Sequence, residues 1–354
     1  MRRTTKLLLA AGIVASILVP ATAAAAAGPK FAPLALANGW TGLPDTAEPG
    51  VALISNVVTF RGLLTNGTSP TVFTLPAADT PATAVYVSVD LCDADTGRLF
   101  IQPSGAVEVE EADGVFSEAQ CAIPLDGVSF TLTEKGAKPL TLLNGWTNAP
   151  FGTSNAAVRV VGGVVRLQGA IANGTENQFA TLPKADWPKA TVIQSIDLCN
   201  ATHGALEIGT DGTLSVFSTG PFTPDAQCFT SLDGVSYVKA DSAANAKAVA
   251  LQNEWRSVWP ARPAGLKVSG KVVRLEGAVS SGISPLIFTL PTKDRPAADV
   301  YVEAVSCGDS TGGGGQNALL SISHSTGEVM VVSPGSGFAD AAECTYFDGS
   351  WFAQ

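Results

Sequence analysis

Valines alternate with Tyr86, Ser88 and Asp90 along residues 85–90. That two-residue period belongs to a strand with one face buried. Leu99 and Ile101 stand opposite Val107 and Val109 across a Pro-Ser-Gly turn. Leu206 and Ile208 face Leu214 and Val216 across Thr-Asp-Gly, and Leu320 and Ile322 face Val329 and Val331 across His-Ser-Thr-Gly. Each pair predicts a hairpin with a glycine in its turn. Asn66-Gly67 and Asn173-Gly174 predict two more turns. No window carries a long 3.6-residue apolar period between helix caps. The pattern therefore predicts an all-β chain of short antiparallel strands, as in sandwiches and barrels.

The pattern is written three times. Val57-Val58-Thr59-Phe60-Arg61-Gly62 returns as Val164-Val165-Arg166-Leu167-Gln168-Gly169 and as Val272-Val273-Arg274-Leu275-Glu276-Gly277. The last glycines step by 107 and 108 residues. Thr74-Leu75-Pro76, Thr181-Leu182-Pro183 and Thr289-Leu290-Pro291 keep the same step, as do Cys92, Cys199 and Cys307. Asn38-Gly39-Trp40 returns as Asn144-Gly145-Trp146 and as the altered Asn253-Glu254-Trp255. Asp126-Gly127-Val128-Ser129-Phe130 returns as Asp233-Gly234-Val235-Ser236-Tyr237 and as Asp348-Gly349-Ser350-Trp351-Phe352. Such a period is too long for a solenoid repeat and fits a unit that buries its own core. The expected organisation is three tandem antiparallel β-sandwich domains of jelly-roll type at residues 28–130, 140–237 and 249–354. Polar linkers are expected at residues 131–139 and 239–248.

Residues 1–27 stand apart. Arg2, Arg3 and Lys6 precede a 13-residue apolar run at residues 7–19, then Pro20 and alanine-rich cleavage sites. This predicts a secretory signal peptide and a soluble, extracellular mature chain. The chain has 21 Lys+Arg against 31 Asp+Glu, a formal net charge of −10, which argues against nucleic acid and anionic membranes as partners.

Six cysteines fall two to a repeat. Six allow 15 pairings, and the repetition selects Cys92–Cys121, Cys199–Cys228 and Cys307–Cys344, as oxidation outside the cell would favour. The third loop is longer because residues 311–316 insert a glycine-rich stretch. Two thiolates per repeat without histidine fall short of a zinc site, so no metal and no cofactor is expected.

Chemistry common to the three copies must use residues that recur. His203 and His324 occupy unrelated positions, so no repeated Ser-His-Asp or Cys-His device exists. The recurring acids Asp126, Asp233 and Asp348 each precede a glycine, which suits a turn carboxylate capping backbone N–H groups. Asp90 and Asp197 recur two residues before a cysteine, but Val305 replaces them in the third copy. One acid per copy is too few for a paired-carboxylate glycosidase. The recurring aromatics Trp40, Trp146 and Trp255 offer either a flat face for a sugar ring or an anchor for the first strand.

The order Asn-Gly-Trp, Val-Val-Arg-Leu-x-Gly, Thr-Leu-Pro and Leu-Asp-Gly-Val-Ser-Phe resembles the β-sandwich domain at the tips of bacteriophage tail fibres and baseplate receptor-binding proteins. Related modules occur in secreted actinobacterial proteins. The resemblance covers nearly all of residues 34–352. Arg295-Pro296 matches the module in the third copy, where the first two have Thr80-Pro81 and Trp187-Pro188. It implies recognition of surface saccharides and assembly around a threefold axis, here as an intramolecular pseudo-trimer of the three copies. The cysteines and the export signal point to an extracellular version. The expected function is a non-enzymatic, multivalent secreted binding protein. Its partner would be an extracellular glycan or cell-surface polymer, with Trp40, Trp146, Trp255, Asp126 and Asp233 as ligand contacts. The competing class is a structural or assembly protein of the cell envelope or spore surface. A polysaccharide-degrading enzyme ranks third.

Overall fold

The computed structural model describes residues 28–133, 135–218, 224–240, 246–260, 262–307, 316–332 and 338–354. The expected signal peptide at residues 1–27 and most of the glycine-rich insertion, residues 311–315, lie outside them. The fold is all-β, and every pairing between strands is antiparallel. The expected hairpins form in the expected register, with Ile101 opposite Val107, Ile208 opposite Leu214 and Ile322 opposite Val329.

In the first repeat a four-stranded sheet runs Ala32–Pro33, Gly50–Ile54, Val57–Arg61 and Ser129–Thr131. A five-stranded sheet runs Ala35–Leu36, Thr71–Thr74, Ala106–Glu111, Thr96–Ile101 and Val85–Asp90. Side chains from both meet in a core that includes Val58, Phe60, Phe73, Leu99 and Phe130. The second and third repeats repeat the four-stranded sheet and build separate cores around Phe179 and Phe288. Lys138–Pro139 and Lys247–Ala248 pair with Ala157–Val161 and Gly265–Ser269. The ends of the two expected linkers are thus edge strands of the repeats that follow.

The recurring glycine of the Val-Val motif ends its strand with positive φ, +95° at Gly62, +82° at Gly169 and +97° at Gly277. A Cβ on Gly169 would stand 2.3 Å from the Asn155 carbonyl oxygen. Only glycine gives the backbone both that conformation and that clearance.

Three disulfides join Cys92 to Cys121, Cys199 to Cys228 and Cys307 to Cys344. Each first cysteine follows the first strand of a hairpin, Val85–Asp90, Val192–Asp197 or Val300–Ser306. Each partner ends or follows a short helix, Phe116–Cys121, Pro224–Cys228 or Phe338–Glu343. These helices are too short to leave a readable 3.6-residue period.

Each repeat touches both others, and the contacts run in one direction. Gly234 of the second repeat lies against Val87 of the first, Gly349 of the third against Gln194 of the second, and Gly127 of the first against Val302 of the third. The same sense appears in backbone bonds. Ala84 N–H donates to the Gly152 carbonyl and Asp299 N–H to the Asp45 carbonyl, each at 3.0 Å.

Candidate functional site

The three recurring tryptophans are buried, with 3 %, 5 % and 4 % exposure at Trp40, Trp146 and Trp255. Their indole N–H groups donate to the carbonyls of Ser69, Glu176 and Ser284 at 2.8–2.9 Å. Each ring covers the glycine of a turn in its own repeat. A Cβ on Gly67, Gly174 or Gly282 would meet it at 1.9–2.1 Å. This corrects the reading of Trp40, Trp146 and Trp255 as sugar platforms: their faces lie against backbone, and each anchors its own turn.

Asp126 and Asp233, expected either as turn caps or as ligand contacts, act as caps. Both are buried, at 6 % exposure. The Asp233 carboxylate accepts the Gly169 N–H at 3.2 Å, Asp348 accepts the Gly277 N–H at 3.0 Å, and Asp126 accepts from Gly62. The two recurring motifs therefore serve one purpose, since the aspartate of the second caps the positive-φ glycine of the first. Burial pushes Asp126 up to about 8, opposed by the Gly62 N–H and Arg61, and Asp233 up to about 7, opposed by the Gly169 N–H. In the third copy Arg262 takes a bidentate grip on Asp348.

Further groups with unmet chemistry lie where the repeats meet. Arg166 and Arg274 occupy the same place in the Val-Val motif of the second and third copies, where the first has Thr59. Arg166 donates to Ser129 of the first repeat at 3.3 Å, and Arg274 to Ser236 of the second at 3.4 Å. The third serine of this set is replaced by Trp351, whose ring lies 5.6 Å from the Arg274 guanidinium. These side chains line a pocket of about 270 Å³ that also includes Thr59 and the exposed Gly162. Arg166 is 8 % exposed and Arg274 half-buried. Among the described residues neither has a carboxylate within salt-bridge distance. Burial, then the Arg274 charge, pushes Arg166 down to about 9. Burial pushes Arg274 down to about 10, against the pull of Glu276. Both stay charged at neutral pH.

Also between the repeats, a cavity of about 60 Å³ touches Ser88 and Asp90 of the first copy, Ser195 of the second and Glu303 of the third. His203 of the second stands beside them. Asp90, His203 and Glu303 each bring a ligand-capable atom to within 4.8 Å of the other two, and among the described residues they are the trio able to hold a metal. Burial, then the Glu303 charge, holds Asp90 well above the usual carboxylate range. Nearby, Arg98 of the first copy pairs with Asp197 of the second at 3.3 Å and with Glu110.

A third hollow, of about 170 Å³, lies at the seam of the first two repeats between Tyr86, Arg98, Phe151 and Phe229. Phe151 is 65 % exposed and holds φ at +52°.

Asp90 and His203 were visible in the sequence but set aside because they do not recur. Glu303 carried no signal. The arginines could have been found as charged residues at an otherwise apolar point of a recurring strand. No family model matches the chain, and neither does any curated protein or solved structure.

Proposed function

We propose that this chain is a non-enzymatic extracellular binding protein whose three tandem domains close into an intramolecular pseudo-trimer. Its ligand is an acidic glycan or surface polymer, received in the pocket between Arg166 and Arg274. The observation that carries this reading is the pair of guanidinium groups lining one pocket with no carboxylate of the described residues within salt-bridge distance. Burying a charge without a counter-charge is costly. A bound carboxylate, sulfate or phosphate group supplies that charge, and arginine is suited to bind it through two parallel hydrogen bonds. The protein's overall negative charge would slow the approach of such a polymer, so local attraction must outweigh the wider field. With the repeated tryptophans buried, one composite site replaces the three equivalent sites expected from the sequence.

The single-direction contacts between the copies support the pseudo-trimer. A beaded, elongated particle in small-angle scattering would reject it. The binding test is a panel of neutral and acidic saccharides applied to the wild type and to Arg166→Gln and Arg274→Gln. The expected result is retention of acidic saccharides only, weakened at least tenfold in each variant with melting unchanged. Equal binding by wild type and variants would move the site elsewhere. The buried tryptophans favour a second reading, a structural or assembly protein without a small ligand. Absence of binding to the whole panel would establish that reading over the first.

A further inference from the structure

Asp90 is 1 % exposed, and neither of its carboxylate oxygens has a hydrogen-bond partner. Glu303 Oε1 is also without one, while Oε2 accepts from Ser88 Oγ at 3.0 Å. His203, 6 % exposed, places Nε2 2.6 Å from the Gly97 carbonyl oxygen. A carbonyl only accepts, so Nε2 carries a proton, and Nδ1 is the ring atom that faces the two carboxylates. Nδ1 lies 3.5 Å from Glu303 Oε1, 3.3 Å from Ser195 Oγ and 2.7 Å from Asn317 Oδ1. The Nδ2 group of Asn317 is itself unpartnered.

We propose that Asp90, His203 and Glu303 form a binding site for one divalent transition-metal ion of the zinc class, with one ligand from each of the three repeats. The two carboxylates together carry the charge that a divalent ion cancels. A proton shared between Asp90 and Glu303 Oε1 would join one oxygen of each and leave the second Asp90 oxygen orphaned. The ion engages all three groups at once. The nitrogen-oxygen donor set suits zinc. The 3.5 Å from Nδ1 to Oε1 is close to the edge of a tetrahedron at zinc–ligand lengths of about 2.0–2.2 Å. The adjoining cavity, about 60 Å³, has room for a water as fourth ligand. The outer contacts are those that orient metal ligands: Gly97 fixes the histidine tautomer and Ser88 holds the glutamate.

The three ligands come from three different strand positions. Asp90 stands two residues before its cysteine, and Glu303 four residues before its own. His203 lies across the hairpin from Asp197. Their counterparts in the other copies are Asp197 and Val305, Ser88 and Ser195, and Thr96 and Asn317. One centre thus forms only where the three copies meet, and the ion ties them together.

The full chain, disulfides intact, is refolded from denaturant with or without one equivalent of zinc, and bound metal is measured by mass spectrometry. One zinc per chain and a higher melting temperature than the metal-free protein are expected. Asp90→Asn, His203→Gln and Glu303→Gln should each weaken zinc binding at least about 100-fold. X-ray absorption on the wild-type zinc protein needs no variant to fold, and should show one imidazole nitrogen and oxygen neighbours without sulfur. A metal-free wild type after refolding with zinc, unchanged affinity in folded variants, or a sulfur-containing shell would overturn the proposal.

Discussion

The recurring aspartate separates two electrostatic situations that the fold makes otherwise alike, and replacing it by asparagine in each copy tests the distinction. In the third copy Asp348 and Arg262 are both buried and joined by two hydrogen bonds, Nη1 to Oδ2 at 3.0 Å and Nη2 to Oδ1 at 2.5 Å. Asp348→Asn leaves Arg262 with only Glu276, 3.7 Å away, and turns an amide N–H₂ toward guanidinium N–H groups. Breaking a buried pair from one side costs about 3–5 kcal/mol. Asp233 has no such partner. It accepts the Gly169 N–H, and its Oδ2 is unsatisfied. Burial raises it to about 7 in the folded state, while the unfolded carboxyl titrates near the ordinary value of about 3.9. The folded state therefore holds a proton that the unfolded state has released. Its contribution to stability is complete below about pH 4 and is lost as pH rises to about 7, at up to about 1.4 kcal/mol per pH unit. Asp126 behaves alike, with its window reaching about 8. Asparagine keeps the acceptor for the glycine N–H and removes the titration. Calorimetric melting at pH 3.5 and pH 8.5 should show Asp233→Asn and Asp126→Asn close to wild type in acid and more stable in base. Asp348→Asn should be less stable at both. Three variants with one common pH profile, or a loss at pH 8.5 for Asp233→Asn, would refute the reasoning.

Other outcomes follow from the same geometry. Trp146→Ala empties a buried site and removes the bond to the Glu176 carbonyl. Denaturant unfolding should show a loss of about 3–5 kcal/mol, with acidic-saccharide binding by the folded fraction unchanged. Gly169→Ala forces a Cβ to within 2.3 Å of the Asn155 carbonyl at φ +82°, and should cost more than the ~1 kcal/mol of an ordinary glycine replacement; an unchanged melting temperature would contradict this. Cys199→Ser with Cys228→Ser opens a 29-residue separation, and should lower stability by roughly 3–4 kcal/mol on the chain-entropy account, read from urea midpoints. Saccharide retention through Arg166 and Arg274 should weaken as salt rises, as a titration of retained ligand would register.

How much of this was legible in the sequence depended on whether a residue recurs. Alternation in Val85–Asp90 and the glycine turns exposed the hairpins, because a strand's face is set by its own two-residue period. Repetition selected the disulfide pairs, because each link lies inside one copy. The same reliance on repetition hid the sites. A search for chemistry common to all copies discards Asp90, His203 and Glu303 in turn, since none is kept in all three: Asp90 gives way to Val305 in the third, and His203 and Glu303 each stand alone. Fused copies are free to diverge where separate identical chains are not. A surface that three identical subunits would fill with the same side chain three times can here take an acid, an imidazole and a second acid. The positions where the copies disagree while their surroundings agree are therefore the informative ones: Thr59 against Arg166 and Arg274, Ser129 and Ser236 against Trp351, Ser88 and Ser195 against Glu303. All lie where repeat meets repeat. Trp40, Trp146 and Trp255 mislead for the opposite reason. Their recurrence marks a demand that every copy shares, the closing of its own turn, and such a demand is met inside the fold.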